Sequence, residues 1–342
     1  MSGRWKVFLI TCTCVLVLGL AFIGIGVAIG GGSIINNAAN GGSISRRVQE
    51  EIFRHSSFQR HSSFQFNIGR NNFRDVNPDN ISLGARYDSF ANIKDLRVDT
   101  GYIQVIIWEW HGDEIIVDTS NLSDRVNERL SIHSSGGELE VIQSHYRQRG
   151  IFGIRFRDVR NEILVIQIPI NHEFHNISLI TGAGKINASN IVAETSVLEI
   201  GAGQISIEEL VSAKVRVISG AGQVDIGTIL AEDVYINMGA GQGTVTRLET
   251  AEVRVRVGAG RFNVPIAIVD RIFIDCGVGE VVFHVIGCED EFDYNIEVGI
   301  GEVVFGTRTY AGLGNSVSSN QGLDKYIDVN VGIGSVTIHF RR

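Results

Sequence analysis

Along the second half of the chain, apolar and polar residues alternate with period two, and the phase of the alternation slips at regularly spaced glycines. In residues 201–219, Ile205 and Ile207 alternate with Gln204 and Ser206, and Val215 and Val217 alternate with Arg216 and Ile218. Period two marks half-buried strand, so each such unit predicts two short strands. The strand before Gly201 turns even-numbered residues inward (Leu198, Ile200), whereas the one after it turns odd-numbered ones inward. One slip per Gly-x-Gly triplet predicts a corner or bulge, for which glycine supplies positive-φ conformations. The middle residue of each triplet is apolar, which predicts that it too tucks inward.

Eight triplets begin at Gly182, Gly201, Gly220, Gly239, Gly258, Gly277, Gly299 and Gly332; the first five intervals are 19 residues and the last two 22 and 33. The predicted structural corners are thus Gly182 and Gly184, Gly201 and Gly203, Gly220 and Gly222, Gly239 and Gly241, Gly258 and Gly260, and Gly277 and Gly279. A fixed period of this kind marks one supersecondary unit stacked repeatedly, because two short strands cannot bury an apolar face alone. The predicted fold is all-β: a single-stranded-stack β-solenoid (β-helix) of about eight coils, each pairing in parallel with its copy about 4.8 Å away. The rival is an antiparallel sandwich, but no Asn-Gly or Asp-Gly hairpin signal falls between the strands. A 19-residue coil makes a sharp geometric claim. It places Arg256 beside Asp275 and Asn237 beside Arg256. It also aligns Lys185, Gln204, Gln223, Gln242, Arg261, Glu280 and Glu302 in one outward row, in which the three glutamines could bond as a ladder.

The rest of the chain divides by pattern. Residues 1–6 read as a short cytoplasmic tail and 7–30 as a transmembrane helix, uncharged from Val7 to Ile29 and long enough to cross a bilayer. A cleaved signal peptide is the rival, but this apolar run exceeds the usual one. Arg4 and Lys6 ahead of it orient the C-terminal domain outward. Residues 31–93 are rich in Gly, Asn, Ser, Arg and His and repeat RHSSFQ twice, which reads as a flexible tether. Residues 94–170 carry strand signals without the strict triplets and read as a β-rich entry and capping region; 171–342 is the repeat solenoid, with 306–325 an external loop.

Charge and chemistry narrow the functional classes. A net charge of −8 argues against a nucleic-acid partner. The glycines do not form a nucleotide loop, since no Gly-x-Gly-x-x-Gly opens a helix and no Gly-Lys-Ser/Thr is present. A calcium roll would repeat aspartate, yet only Asp225 stands three residues past a triplet. His172 and His175 have the wrong spacing for a zinc-protease helix and lie in a strand pattern, so no metal or other cofactor is expected. Cys276 occupies an inward slot and reads as a buried thiol; a bond to Cys288 does not follow from spacing. Trp108 and Trp110 share one strand face. They read first as packing residues, and secondly as a platform for a sugar ring. With Gln204, Gln223 and Gln242 they are the candidate surface ligand contacts.

The GAG-Q/K-apolar-x-apolar triplets behind a single membrane segment resemble a bacterial family described as a "putative adhesin" domain with β-strand repeats, a domain of unknown function. The resemblance covers roughly 94–342 and is best over 182–305. It implies a surface or envelope protein without catalytic residues. The expected function is a membrane-anchored, surface-exposed module that contacts an envelope protein or glycan and is not an enzyme. Two alternatives remain. One is a self-associating scaffold, similar to bactofilins, joined end to end with residues 339–342 as a thin cap. The other is a β-helix enzyme acting on carbohydrate.

Overall fold

The computed structural model describes residues 84–144, 162–312 and 314–341. The predicted membrane segment and most of the predicted tether lie outside them. Among the described residues no helix is long and apolar enough to cross a membrane. Eight strands precede the regular part: β1 (Tyr87–Phe90), β2 (Asp95–Thr100), β3 (Gln104–Trp110), β4 (Ile115–Asp118), β5 (Leu130–Ser135), β6 (Glu138–Gln143), β7 (Ile163–Pro169) and β8 (Glu173–Thr181). β1 falls in the stretch expected to be tether. Five strands of 16 residues come next: β9 (Lys185–Ile200), β10 (Gln204–Ser219), β11 (Gln223–Met238), β12 (Gln242–Val257) and β13 (Arg261–Cys276). Then come β14 (Glu280–Ile286), β15 (Phe292–Val298), β16 (Glu302–Phe305), β17 (Arg308–Ala311), β18 (Asn315–Ser319), β19 (Lys325–Val331) and β20 (Ser335–Arg341).

Neighbouring long strands pair in parallel with a constant 19-residue offset, as in Gln204↔Gln223 and Val215↔Val234. This excludes the antiparallel sandwich. The coil has three straight segments, however, and not two. Pairing between β10 and β11 skips Glu208 and Ala213, and the buried positions run Ile205, Ile207, then Leu210, Ser212, then Val215, Val217, Ser219. Each skip slips the phase by one, so every coil turns at the triplet and at two further corners. Pro265 stands at one of these corners; the pair Val245↔Val264 beside it is missing from the ladder, although its equivalents Ile207↔Ile226 and Ile226↔Val245 are present, as a residue without an N–H requires. At another, Ser212 Oγ lies 3.2 Å from the Glu194 carbonyl and 3.1 Å from that of Lys214. Thr250 repeats the arrangement two coils later, on Glu232 and Glu252.

The inward columns fill one continuous core. Where the ladder of Ile186, Ile205 and Val224 reaches Gly243, a Cβ there would lie 2.6 Å from Met238 Sδ and 2.8 Å from a ring carbon of Phe262. The phenyl ring of the next coil takes the volume that a side chain at 243 would need, as close packing requires.

Stacking order departs from chain order at both ends. After β14 the chain leaves a layer empty. β15 and β16 settle one layer further out, and β19 and β20 return to fill the gap. β19 pairs with β13 on one side and β15 on the other, and β20 lies between β14 and β16. The N-terminal end mirrors this: β2 and β3 adjoin the regular coils, whereas β6 and β7, later in sequence, lie outside them. Residues 306–325 are therefore not an external loop. They carry β17 and β18, which pair antiparallel on β16 and β15 and cover that end. β5 and β4, with β1 beyond, cover the other. β20 belongs to an inner layer, and His339, Phe340 and Arg341 extend it along β14, so they are not a terminal cap. Short, polar end strands are how natural sheets avoid edge-to-edge pairing.

Candidate contact face

The triplets form one corner of the stack, and their glycines act differently from expectation. Positive φ occurs at seven other described glycines, among them Gly136, Gly306 and Gly314, but at no triplet glycine. What each triplet glycine permits is close approach. A Cβ on Gly222 would lie 2.7 Å from the Gly203 carbonyl oxygen, and one on Gly201 would lie 2.6 Å from that of Gly182. The backbones come this close because successive N–H groups donate in one direction. Gly201, Ala202 and Gln204 donate to Thr181, Gly182 and Gly184 at 2.9, 2.7 and 3.0 Å. The column is thus an aligned hydrogen-bond stack. Its donor end is closed by Gln143, whose Oε1 accepts from Gly101 N at 2.8 Å. Its acceptor end is closed by Gly314 N, which donates to Gly299 O at 3.0 Å.

The middle residues point outward, against the inward expectation. They make a ridge flanked by side-chain-free glycine. It begins at Tyr102, which is 39 % exposed, and continues as alanine through five coils from Ala183 to Ala259. It ends in Val278, Ile333 and Ile300, at 61 %, 60 % and 63 % exposure. These last three occupy consecutive layers, because the returning coil places Ile333 between the other two.

Beside the ridge runs the outward polar row. Lys185, Gln204, Gln223, Gln242, Arg261 and Glu280 are in register, with buried Gln104 continuing the column beyond Lys185, and Ser335 then separates Glu280 from Glu302. The glutamines do not form a ladder. Gln204 Nε2 and Gln223 Nε2 both donate to Asp225 Oδ2, at 3.2 and 2.7 Å. Arg261 pairs with Glu280 at 2.7 Å and, on the far side of the ridge, Arg256 with Asp275 at 3.1 Å. The latter is the cross-coil pair that the 19-residue offset predicts.

Trp108 and Trp110 lie apart from this face and are half-buried. Trp110 folds over Gly112 and donates Nε1–H to the Glu114 carbonyl at 2.9 Å, so it packs on its own turn. Trp108 Nε1 is buried with no partner among the described residues. Cys276 is buried, which raises its thiol pKa, and it forms no disulfide with Cys288. Burial lowers the pKa of His172 and of His284, the latter helped by Arg341 and by His339, whose ring stacks on it at 5.1 Å.

Three positions that organise this part of the structure escaped sequence reasoning. Gln143 resembles any strand-end glutamine, and its role exists only because β6 lies outside β2. Asp225 stood out as an isolated aspartate but gave no sign of its two amide partners. Asp293, with Oδ1 accepting from Gln321 N at 2.7 Å and Oδ2 from Gly322 N and Leu323 N at 2.9 and 2.8 Å, meets them across a long-range return of the chain.

A family model described as Toastrack DUF4097 matches residues 93–339. No curated protein matches the chain. Among solved structures, a "putative adhesin" from Bacteroides fragilis is similar at 12 % identity over 74 % of this chain and 95 % of that one, with a TM-score of 0.42. A "putative lipid binding protein" from Parabacteroides distasonis is similar at 13 % identity over 75 % and 96 %, with a TM-score of 0.45. A "putative cell adhesion protein" from Clostridium sporogenes is similar at 13 % identity over 75 % and 98 %, with a TM-score of 0.21.

Proposed function

The chain belongs to the Toastrack DUF4097 family, and from that premise we propose that it is a contact module: a rigid, non-catalytic stack, anchored by residues 7–30, that presents its outer faces to an envelope protein or glycan outside the cell. One observation carries this reading. The coils pair in register, so that outward positions align into continuous rows along the stack while the interior columns fill with Ile, Val, Leu and Phe. A filled interior leaves the outside as the working surface. Rows held by a parallel ladder present side chains at a fixed spacing of about 4.8 Å, with the backbone already ordered before binding. Short antiparallel strands cover both ends, which disfavours the long parallel edges on which end-to-end assembly of a scaffold would rest.

Protease shaving of intact cells that express the chain with a C-terminal tag tests its location. The tag should be lost without lysis, and a protected tag overturns the external assignment. A glycan array and a panel of purified envelope proteins then test contact. A variant with Gln204, Gln223 and Asp225 changed to alanine separates the polar row from the other outer faces.

A further inference from the structure

The ridge changes character at one end. Alanine serves at this corner in five successive coils, so the corner itself needs nothing larger. Val278, Ile333 and Ile300 nonetheless replace it in three adjacent layers, each about 60 % exposed. Their glycine neighbours offer no cover. Together they make a patch on the order of the few hundred Å² that marks contact sites on monomers. Residue 333 lies 33 positions beyond residue 300, yet the stack sets it between 278 and 300. The patch is a product of the threaded coil, not of a local apolar run.

Charge selects the occupant. In the same layers the rows on either side of the ridge carry Asp275, Asn330 and Glu297 on one flank and Glu280, Ser335 and Glu302 on the other, so the carboxylates bracket the neutral middle layer. Asp275 and Glu280 are held by arginines. Glu297 and Glu302, which bracket Ile300, have no ion-pair partner among the described residues. A second copy is a poor fit. Tip-to-tip packing in parallel sets Glu297 against Glu302, and antiparallel packing sets Glu297 against Asp275 and Glu302 against Glu280. An anionic lipid surface meets the same repulsion. A chain segment with apolar residues at its centre and basic residues beside them matches both features.

We propose that the ridge tip of Val278, Ile333 and Ile300, set between two acidic rows, docks a basic, apolar-centred polypeptide segment of another protein. This deepens the contact-module reading and rests on it. Glu297 and Glu302 steer and orient the segment, and the three β-branched side chains supply the apolar contact.

The test uses the full chain in discs of neutral phosphatidylcholine and a labelled peptide, Gly-Lys-Gly-Ile-Val-Ile-Gly-Lys-Gly, read by fluorescence anisotropy. Saturable binding is expected. It should weaken about tenfold or more when the peptide's lysines become glutamate, and likewise when its Ile-Val-Ile becomes serine. Ile300→Ser with Ile333→Ser should cost about tenfold as well. Glu297→Gln with Glu302→Gln should flatten the dependence on salt. All four residues are exposed, so these variants fold. The proposal is overturned if wild type does not bind, if the serine peptide binds as well as the apolar one, or if the isoleucine variant is indistinguishable from wild type. It falls equally if vesicles of phosphatidylglycerol bind at this tip, or if sedimentation shows a dimer that the isoleucine variant abolishes. Peptide binding together with a protected tag in shaved cells would defeat the surface reading and leave this one standing.

Discussion

Single positions in the stack differ sharply in what they tolerate. Ile207 is 2 % exposed in a column that continues above and below it. Ile207→Asp strands a charge there without a partner and should cost on the order of 4 kcal/mol or more, enough to remove the cooperative urea transition. The triplet gives a finer contrast. Gly222→Ala drives a Cβ against a backbone carbonyl that cannot move aside, and should cost roughly 1–3 kcal/mol. Ala221→Asp, one residue away but on the exposed ridge, should stay within about 0.5 kcal/mol. Thermal melts of the two variants check the order; an aspartate more damaging than the alanine would mean that the ridge faces inward. The sequence carried the inward columns plainly, because alternation reports directly on burial. It could not distinguish the two reasons for a repeated glycine. A left-handed corner and a close backbone approach leave the same letter in the chain, and only the second operates here.

At the scale of elements, the return of β19 and β20 to an inner layer depends on how the chain is turned back. Asp293, at the start of β15, holds the 321–323 turn by three backbone N–H groups. The bond from Gln321, joined by those from Leu323 and Gly322, holds its carboxyl below the ordinary value of 3.8, with burial opposing them. A depressed carboxylate stabilises the fold above its unfolded pKa, and that stability is lost as pH falls through the lower folded value. The turn should therefore loosen only below about pH 4. Asp293→Asn, which removes the charge at every pH, should speed amide exchange across residues 321–331 at neutral pH while β10 to β12 stay protected. Equal exchange in variant and wild type would show that the turn holds without the carboxylate. The regular strands were legible down to their pairing register, since a constant 19-residue period leaves one alignment of the columns. The third segment of each coil was also present in the letters, as the step from Ile207 to Leu210, but two alternating runs per repeat already accounted for the obvious pattern. The end layers were not legible. Spacings of 22 and 33 announce irregularity without saying which coil lies on which, because that order is decided by pairing partners dozens of residues apart.

For the whole molecule, acid should be the destabilising direction well before the carboxylates titrate. His172 and His284 both have pKa values lowered from 6.5, chiefly by burial, so the unfolded chain binds protons that the folded chain refuses. Their contribution is complete above about pH 6.5 and declines below it. The melting temperature should fall between about pH 7 and pH 5, and His284→Gln should remove part of the slope; an unchanged slope would place the effect elsewhere. The threaded layer has a consequence in time. As the chain leaves the ribosome, the regular coils can close one after another, each upon the last. The layer of β15 and β16 cannot, for its inner neighbour is β19 and β20, synthesised later. A half-made chain thus holds an unfilled slot, with the exposed faces of β14 and β16 waiting on residues 325–341. Growth by simple addition ends at Ile286, and the remaining coils close by insertion. A nascent chain stalled before residue 325 should be markedly more open to chaperones and proteases than one stalled after 341, though only 17 residues separate them. The solenoid ends by locking, and the molecule becomes whole in one late step.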